Sequence, residues 1–184
     1  MQRLRFETVR DLFDSFAFIR EELQLEPTDD PCLNFIRSLA DQVEVAKAVG
    51  VSAYLLPRRE AVWWACRSVR AISPPRNAEE NDCITAAEEW VQEPKEERRF
   101  VALELGNRSD YRSPATLVAR AAGFAGNRFP VAPDVWAPIQ PEQTPRAVRG
   151  AILAAAACLS PQERPEVLKR CVEEGVRLAT GAES

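Results

Sequence analysis

The sequence predicts an all-α protein, a compact bundle or short stack of about eight antiparallel helices. Three observations carry that prediction. A capping residue directly followed by proline recurs at Asp30-Pro31, Ser113-Pro114, Thr144-Pro145 and Ser160-Pro161. Proline suits the first helical position because its missing N–H would be unpaired there anyway. Between these starts apolar residues recur three and four apart, the period of a buried helix face. Alternating runs that would mark strands are missing: Val51–Leu56 is apolar, but it continues a helical pattern.

In chain order, the first helix is expected over 8–25, with a break near Ser15–Phe16 and a weak capping pair in Thr8 and Asp11. Helices over 31–40 and 42–55 follow the Asp30-Pro31 start, and 58–72 follows Pro57. Asn77 with Glu80 has capping-box spacing and opens 78–92. The next helices are 95–106 and 114–123, with Gly106 and Gly123 placed as C-terminal caps. The last two are 145–159 and 162–179, the second opened by Ser160 with Glu163 and closed by Gly181. Short connections such as SPPRN and QEP favour antiparallel neighbours.

One stretch cannot be helical. Asn127–Pro145 holds five prolines in nineteen residues, which makes the chain extended there. Phe129, Val131, Val135, Trp136 and Ile139 make it too apolar for a free linker, so it reads as an ordered strap over a helical body. Its functional reading is a docking segment for a partner, with Trp136 as the anchor. Residues 1–184 are then one helical domain, with 127–145 as its ordered proline-rich loop.

Composition removes several kinds of chemistry. The net charge is −4 with a pI near 5.1, which argues against the basic footprint of a nucleic-acid binder. The chain has no histidine, so His-based acid–base catalysis, Ser-His-Asp triads and most zinc sites are out. Neither phosphate-binding glycine motif occurs, and no cofactor is expected. GFAG at Gly123–Gly126 matches the loop of KH domains only as four letters. Five scattered cysteines include no C-x-x-C pair and read as buried thiols. The carboxylate pairs Glu79-Glu80, Glu88-Glu89, Glu96-Glu97 and Glu173-Glu174 read as helix-surface charges paired with nearby Arg or Lys. The most apolar run, Ala151–Leu159, is too short to span a bilayer and reads as a buried helix. With no signal-peptide pattern in MQRLRFETVRDLFDSF, the expected location is cytoplasmic, without membrane insertion.

The candidate site lies in LLPRREAVWWACRSVR, Leu55–Arg70. At 100° per residue, Val62, Ala65, Cys66, Val69 and Ile72 share one apolar arc, and Trp64 points nearly opposite. Apolar groups on two faces mark a central helix packed between neighbours. Trp63 falls beside the arc, where Arg59 is expected to cover it by cation–π stacking. The candidate protein-interaction residues are therefore Arg58, Arg59, Trp63, Arg67, Arg70 and, in the loop, Trp136.

LPRREAVWWACRSVR, AAEEWVQEPKEERRFVALELG and RSPATLVARAAGFAG together resemble an uncharacterised family of bacterial proteins. The resemblance extends to FETVRDLFDSF, the EPTDDP turn and the C-terminal CVEEGVRLATG. Genes of that family are similar to ones found near type VI secretion loci, beside spike-tip and adaptor genes. The resemblance implies a non-enzymatic accessory, adaptor or chaperone-like protein that binds a spike component, adaptor or effector. It brings no catalytic residues. The alternatives are a small enzyme using carboxylates or a cysteine, and a toxin or immunity partner.

Overall fold

The computed structural model describes residues 4–42, 44–110, 112–132 and 134–181. Their secondary structure is mostly helical, with one small antiparallel sheet. The sequence reading treats 1–184 as one body; the contacts gather the chain into two compact units. One comprises Met1–Pro57 and Leu159–Ser184, the other Arg58–Cys158.

In the first unit, α1 (Val9–Asp14) and α2 (Ile19–Leu23) replace the single helix expected over 8–25, and the break falls at Ser15. Thr8 and Asp11 complete a full capping box at the start of α1. α2 ends at Gln24, whose φ of 52° is left-handed and stops the helix. α3 is Cys32–Asp41, α4 Val45–Leu55 and α10 Arg164–Thr180. Nine of the eleven residues of α4 are buried, as befits an interior helix that is apolar all round. It packs against α2, α3 and α10. Tyr54 buries its ring there and donates its hydroxyl to Glu22 at 2.6 Å.

The second unit holds α5 (Arg58–Ile72), α6 (Ala78–Gln92), α7 (Glu96–Arg108), α8 (Pro114–Gly123), β1 (Arg128–Ala132), β2 (Val135–Pro138) and α9 (Gln143–Ala157). The bounds of α5, α6 and α8 match the sequence reading. α8 is the hub, touching α5, α6, α7 and α9. Its alanines and Gly123 permit this: a Cβ on Gly123 would lie 2.6 Å from Leu103 Cβ and 2.8 Å from its Cα. Gly106 plays the same part from α7, since a Cβ there would meet Arg120. Neither glycine is a C-terminal cap beyond the helix end, as the sequence reading has them. Only Gly181, at φ 65°, has that role.

All four cap–proline pairs work differently from expectation, since none makes the side-chain cap bond at its helix start. Pro31 is itself the N-cap of α3, and its neighbour Asp30 accepts from Thr28 instead. Thr144 lies inside α9, which Glu142 precedes. α10 starts four residues after Ser160, although Ser160 and Glu163 do exchange the capping-type bonds. Ser113 is the N-cap of α8 with Pro114 behind it, but its hydroxyl donates to Glu80 at 2.9 Å.

The proline-rich segment is a β-hairpin followed by the first turn of α9, which corrects the strand-free expectation. Arg128 pairs with Pro138, Phe129 with Ala137, Pro130 with Trp136 and Ala132 with Val135, leaving Val131 as a bulge. Ile139 N–H donates to Asn127 C=O at 2.9 Å. Alternation along an antiparallel ladder then makes 129/137 a hydrogen-bonded pair, while 128/138 and 130/136 are not. The two prolines of the ladder therefore sit where no cross-strand N–H is needed. Asp134 turns the chain with φ 59°.

Candidate protein-binding site

Of the six candidate residues, five lie on α5, and two of these, Arg59 and Arg70, bond to α6. Trp64 is fully buried, and Val62, Ala65, Cys66 and Val69 form the predicted arc. Arg59 does not cover Trp63. It donates to the carbonyl of Val91 at 2.6 Å and toward Gln92 at 3.5 Å, satisfying the last turn of α6. The cation over the Trp63 ring is Arg67, at 5.9 Å. Arg70 grips Glu88 with both arms, at 2.6 and 2.8 Å, and reaches Thr85 and Asn81 as well. Such a fork-to-carboxylate pair, half shielded, ties α5 to α6.

Arg58 leads away from α5. Its Nη1 donates to Gly126 C=O at 2.7 Å and toward Ala125 C=O at 3.4 Å. The same turn is held from the other side by Arg99, which sequence reasoning missed. Arg99 is 1% exposed. Its Nη1 donates to Gly123 C=O at 2.6 Å and Nη2 to Arg128 C=O at 2.8 Å. Nε and Nη2 also engage Glu96, at 2.9 and 2.8 Å, and these bonds hold the Glu96 carboxyl below its ordinary range. The only sequence signal for this clamp is GFAG: Gly126 leaves room for the guanidinium, whose Cζ would be 2.5 Å from any Cβ there.

The clamped turn presents the hairpin. Trp136 rests on Phe100 of α7, with ring centroids 5.7 Å apart, and Arg128 lies over the Trp136 ring at 4.6 Å. Trp136 is 43% exposed, and Val131 and Val135 are each more than half exposed. Beside them a groove of about 490 Å³ runs between α7 and β1, floored by Phe100, Leu103 and Pro130 and rimmed by Glu104, Asn107 and Arg108. The structure thus links Arg58 to the hairpin that carries Trp136, places Arg59 and Arg70 on α6, and stacks Arg67 on Trp63 within α5.

Of the carboxylates named in the sequence, Glu80, Glu88, Glu89 and Glu96 are paired with arginines. Glu80 is the clearest: it is buried, accepts from Arg76 N–H at 2.7 Å and from Ser113, and pairs with the Arg76 side chain. The Arg76 bonds hold its carboxyl down to about 2. Among the described residues no cluster of three or more Cys, Asp or Glu could hold a metal, and no helix is long and apolar enough to cross a membrane. Cys32, Cys66, Cys83 and Cys171 are buried as expected; Cys158, at the end of α9, is exposed. The expected burial of Ala151–Leu159 likewise stops at Ala156.

A family model matches residues 35–179, most of the chain. The chain belongs to DUF6931, a family of unknown function. The DUF6931 match begins after FETVRDLFDSF and EPTDDP, so those two stretches lie outside it, while α5, the Arg99 clamp and the hairpin lie inside. No curated protein and no solved structure matches the chain.

Proposed function

We propose that this chain is a non-enzymatic accessory protein that binds another protein through the hairpin face. One observation carries the reading: an ordered hairpin leaves Val131, Val135 and Trp136 exposed while two arginines clamp its base. Clustered exposed apolar groups on a soluble surface mark interaction sites, and tryptophan is a frequent hot-spot residue. The proline-rich segment presents that face from a helical body. Three of the paired carboxylates, Glu80, Glu88 and Glu96, are each engaged by an arginine, which also favours a binding role for the region around them.

The proposed setting is the bacterial cytoplasm, and the proposed partner is a spike component, adaptor or effector of a type VI secretion system. Its support is the resemblance of the LPRREAVWWACRSVR, AAEEWVQEPKEERRFVALELG and RSPATLVARAAGFAG stretches. The test is affinity capture from the native host at native expression, with captured proteins identified and each re-tested as a purified pair. The expected result is one such secretion protein that binds directly and is lost with Trp136→Ala. Nothing above background, or a direct partner indifferent to Trp136→Ala, removes the hairpin reading.

A further inference from the structure

The hairpin face carries more than apolar area. Arg128 stacks on Trp136 at 4.6 Å, yet no carboxylate among the described residues lies within ion-pairing distance of it. Its charge acts on Glu96 through space, but the Glu96 oxygens accept from Arg99. Glu104 and Arg108 on the groove rim pair with each other at 3.3 Å. The Arg128 guanidinium therefore sits 4.6 Å from the indole centroid with its fork available to a bidentate carboxylate.

The backbone adds a second polar feature. Because 130/136 is a non-hydrogen-bonded pair, Trp136 turns its N–H and C=O away from β1. Neither meets a hydrogen-bond partner among the described residues. Trp136 also touches Phe100, which floors the apolar groove with Leu103 and Pro130.

We infer that this face receives an extended, acidic segment of a partner protein, with an apolar side chain in the α7–β1 groove and a carboxylate on Arg128. The inference rests on the accessory-protein reading and names the chemistry of its partner. The groove at Pro130 selects a bulky aliphatic or aromatic residue, and Arg128, two residues along β1, selects an Asp or Glu beside it.

The test pans a random dodecamer peptide display library against the full chain. Enriched sequences are synthesised with a fluorescent label and titrated by polarisation. The expected consensus sets Asp or Glu next to Leu, Ile, Val or Phe. Arg128→Gln, whose side chain is exposed and whose backbone carbonyl is kept for Arg99, weakens binding by about tenfold, and peptide Glu→Gln costs the same without adding to it. No enrichment over a bare surface, a consensus without acidic residues, or an Arg128→Gln effect within about twofold each overturn the inference. Such a failure leaves the accessory reading standing if host capture still returns a Trp136-dependent partner; loss of that partner too removes both.

Discussion

Gly126 lies so close to Arg99 that a Cβ there would sit 2.5 Å from the guanidinium carbon. The arginine is buried because that glycine is small, and its arms are filled by carbonyls on either side of the turn. Gly126→Ala is expected to destabilise the protein by ~1–3 kcal/mol through overpacking. Arg99→Met should cost more, ~3–5 kcal/mol, because it strands the buried Gly123 carbonyl, frees that of Arg128 and unpairs Glu96. Arg99→Lys recovers little of this, lacking the fork. Urea unfolding followed by circular dichroism ranks the three; a neutral Gly126→Ala would show that the clamp is not tight.

Two helical glycines should respond with opposite signs. At Gly123 a new methyl meets Leu103 backbone, which cannot move aside cheaply, so Gly123→Ala should destabilise by ~1–3 kcal/mol. At Gly150 the nearest atom is Leu117 Cδ1 at 3.6 Å, an ordinary contact. Gly150→Ala should therefore stabilise by ~0.5–1 kcal/mol from helix propensity. Melting temperatures that fall in both variants would contradict the packing of α9.

Glu80 predicts a specific acid response. Its folded carboxyl is held to about 2, below its ordinary value of 4.5, chiefly by Arg76. Such a group contributes stability fully above the ordinary value and loses it as pH falls toward the folded one. Between pH 4.5 and about 2, wild-type protein should thus lose more stability than Glu80→Gln. Equal slopes of urea midpoint against pH for the two proteins would remove Glu80 as a source.

The two adjacent tryptophans should separate cleanly. Trp64 is fully buried, so Trp64→Ala should cost ~3–5 kcal/mol. Trp63 is partly exposed under Arg67, and its replacement should cost well under half as much. Chemical denaturation of both single variants tests the order.

Thiol titration of the native protein should find one fast cysteine. Cys158 is exposed, whereas burial pushes the Cys32 thiol up to about 11 and Cys66 higher still. Cys158→Ser should abolish the fast phase, and the remaining thiols should react only on unfolding. A fast phase that survives in Cys158→Ser would mean that a second thiol is open.

Helix α5 was readable because its periodicity, its preceding proline and its core arc agree, and only its arginine partners were not. Arg59 and Arg70 choose partners on α6 by tertiary placement, which single-helix projection does not contain. Arg99 was illegible for a sharper reason. Inside EERRF it looks like one more surface charge with a glutamate three residues away, and its burial depends on a glycine turn far along the chain. The hairpin was hidden by its own prolines: Pro130 and Pro138 sit at non-bonded ladder positions, and the Val131 bulge breaks the alternation that would have marked β1. Trp136 was found because a tryptophan among prolines is conspicuous, but Phe100 and Arg128, which build its surroundings, carried no such mark.

A lone two-stranded hairpin is marginal in water, and this one buries little of itself. Its base is tied instead by side chains rooted in α5 and α7. The amide protons of Phe129 and Ala137 should therefore exchange with solvent no faster than those two helices loosen, and the hairpin inherits the lifetime of the helices that hold it.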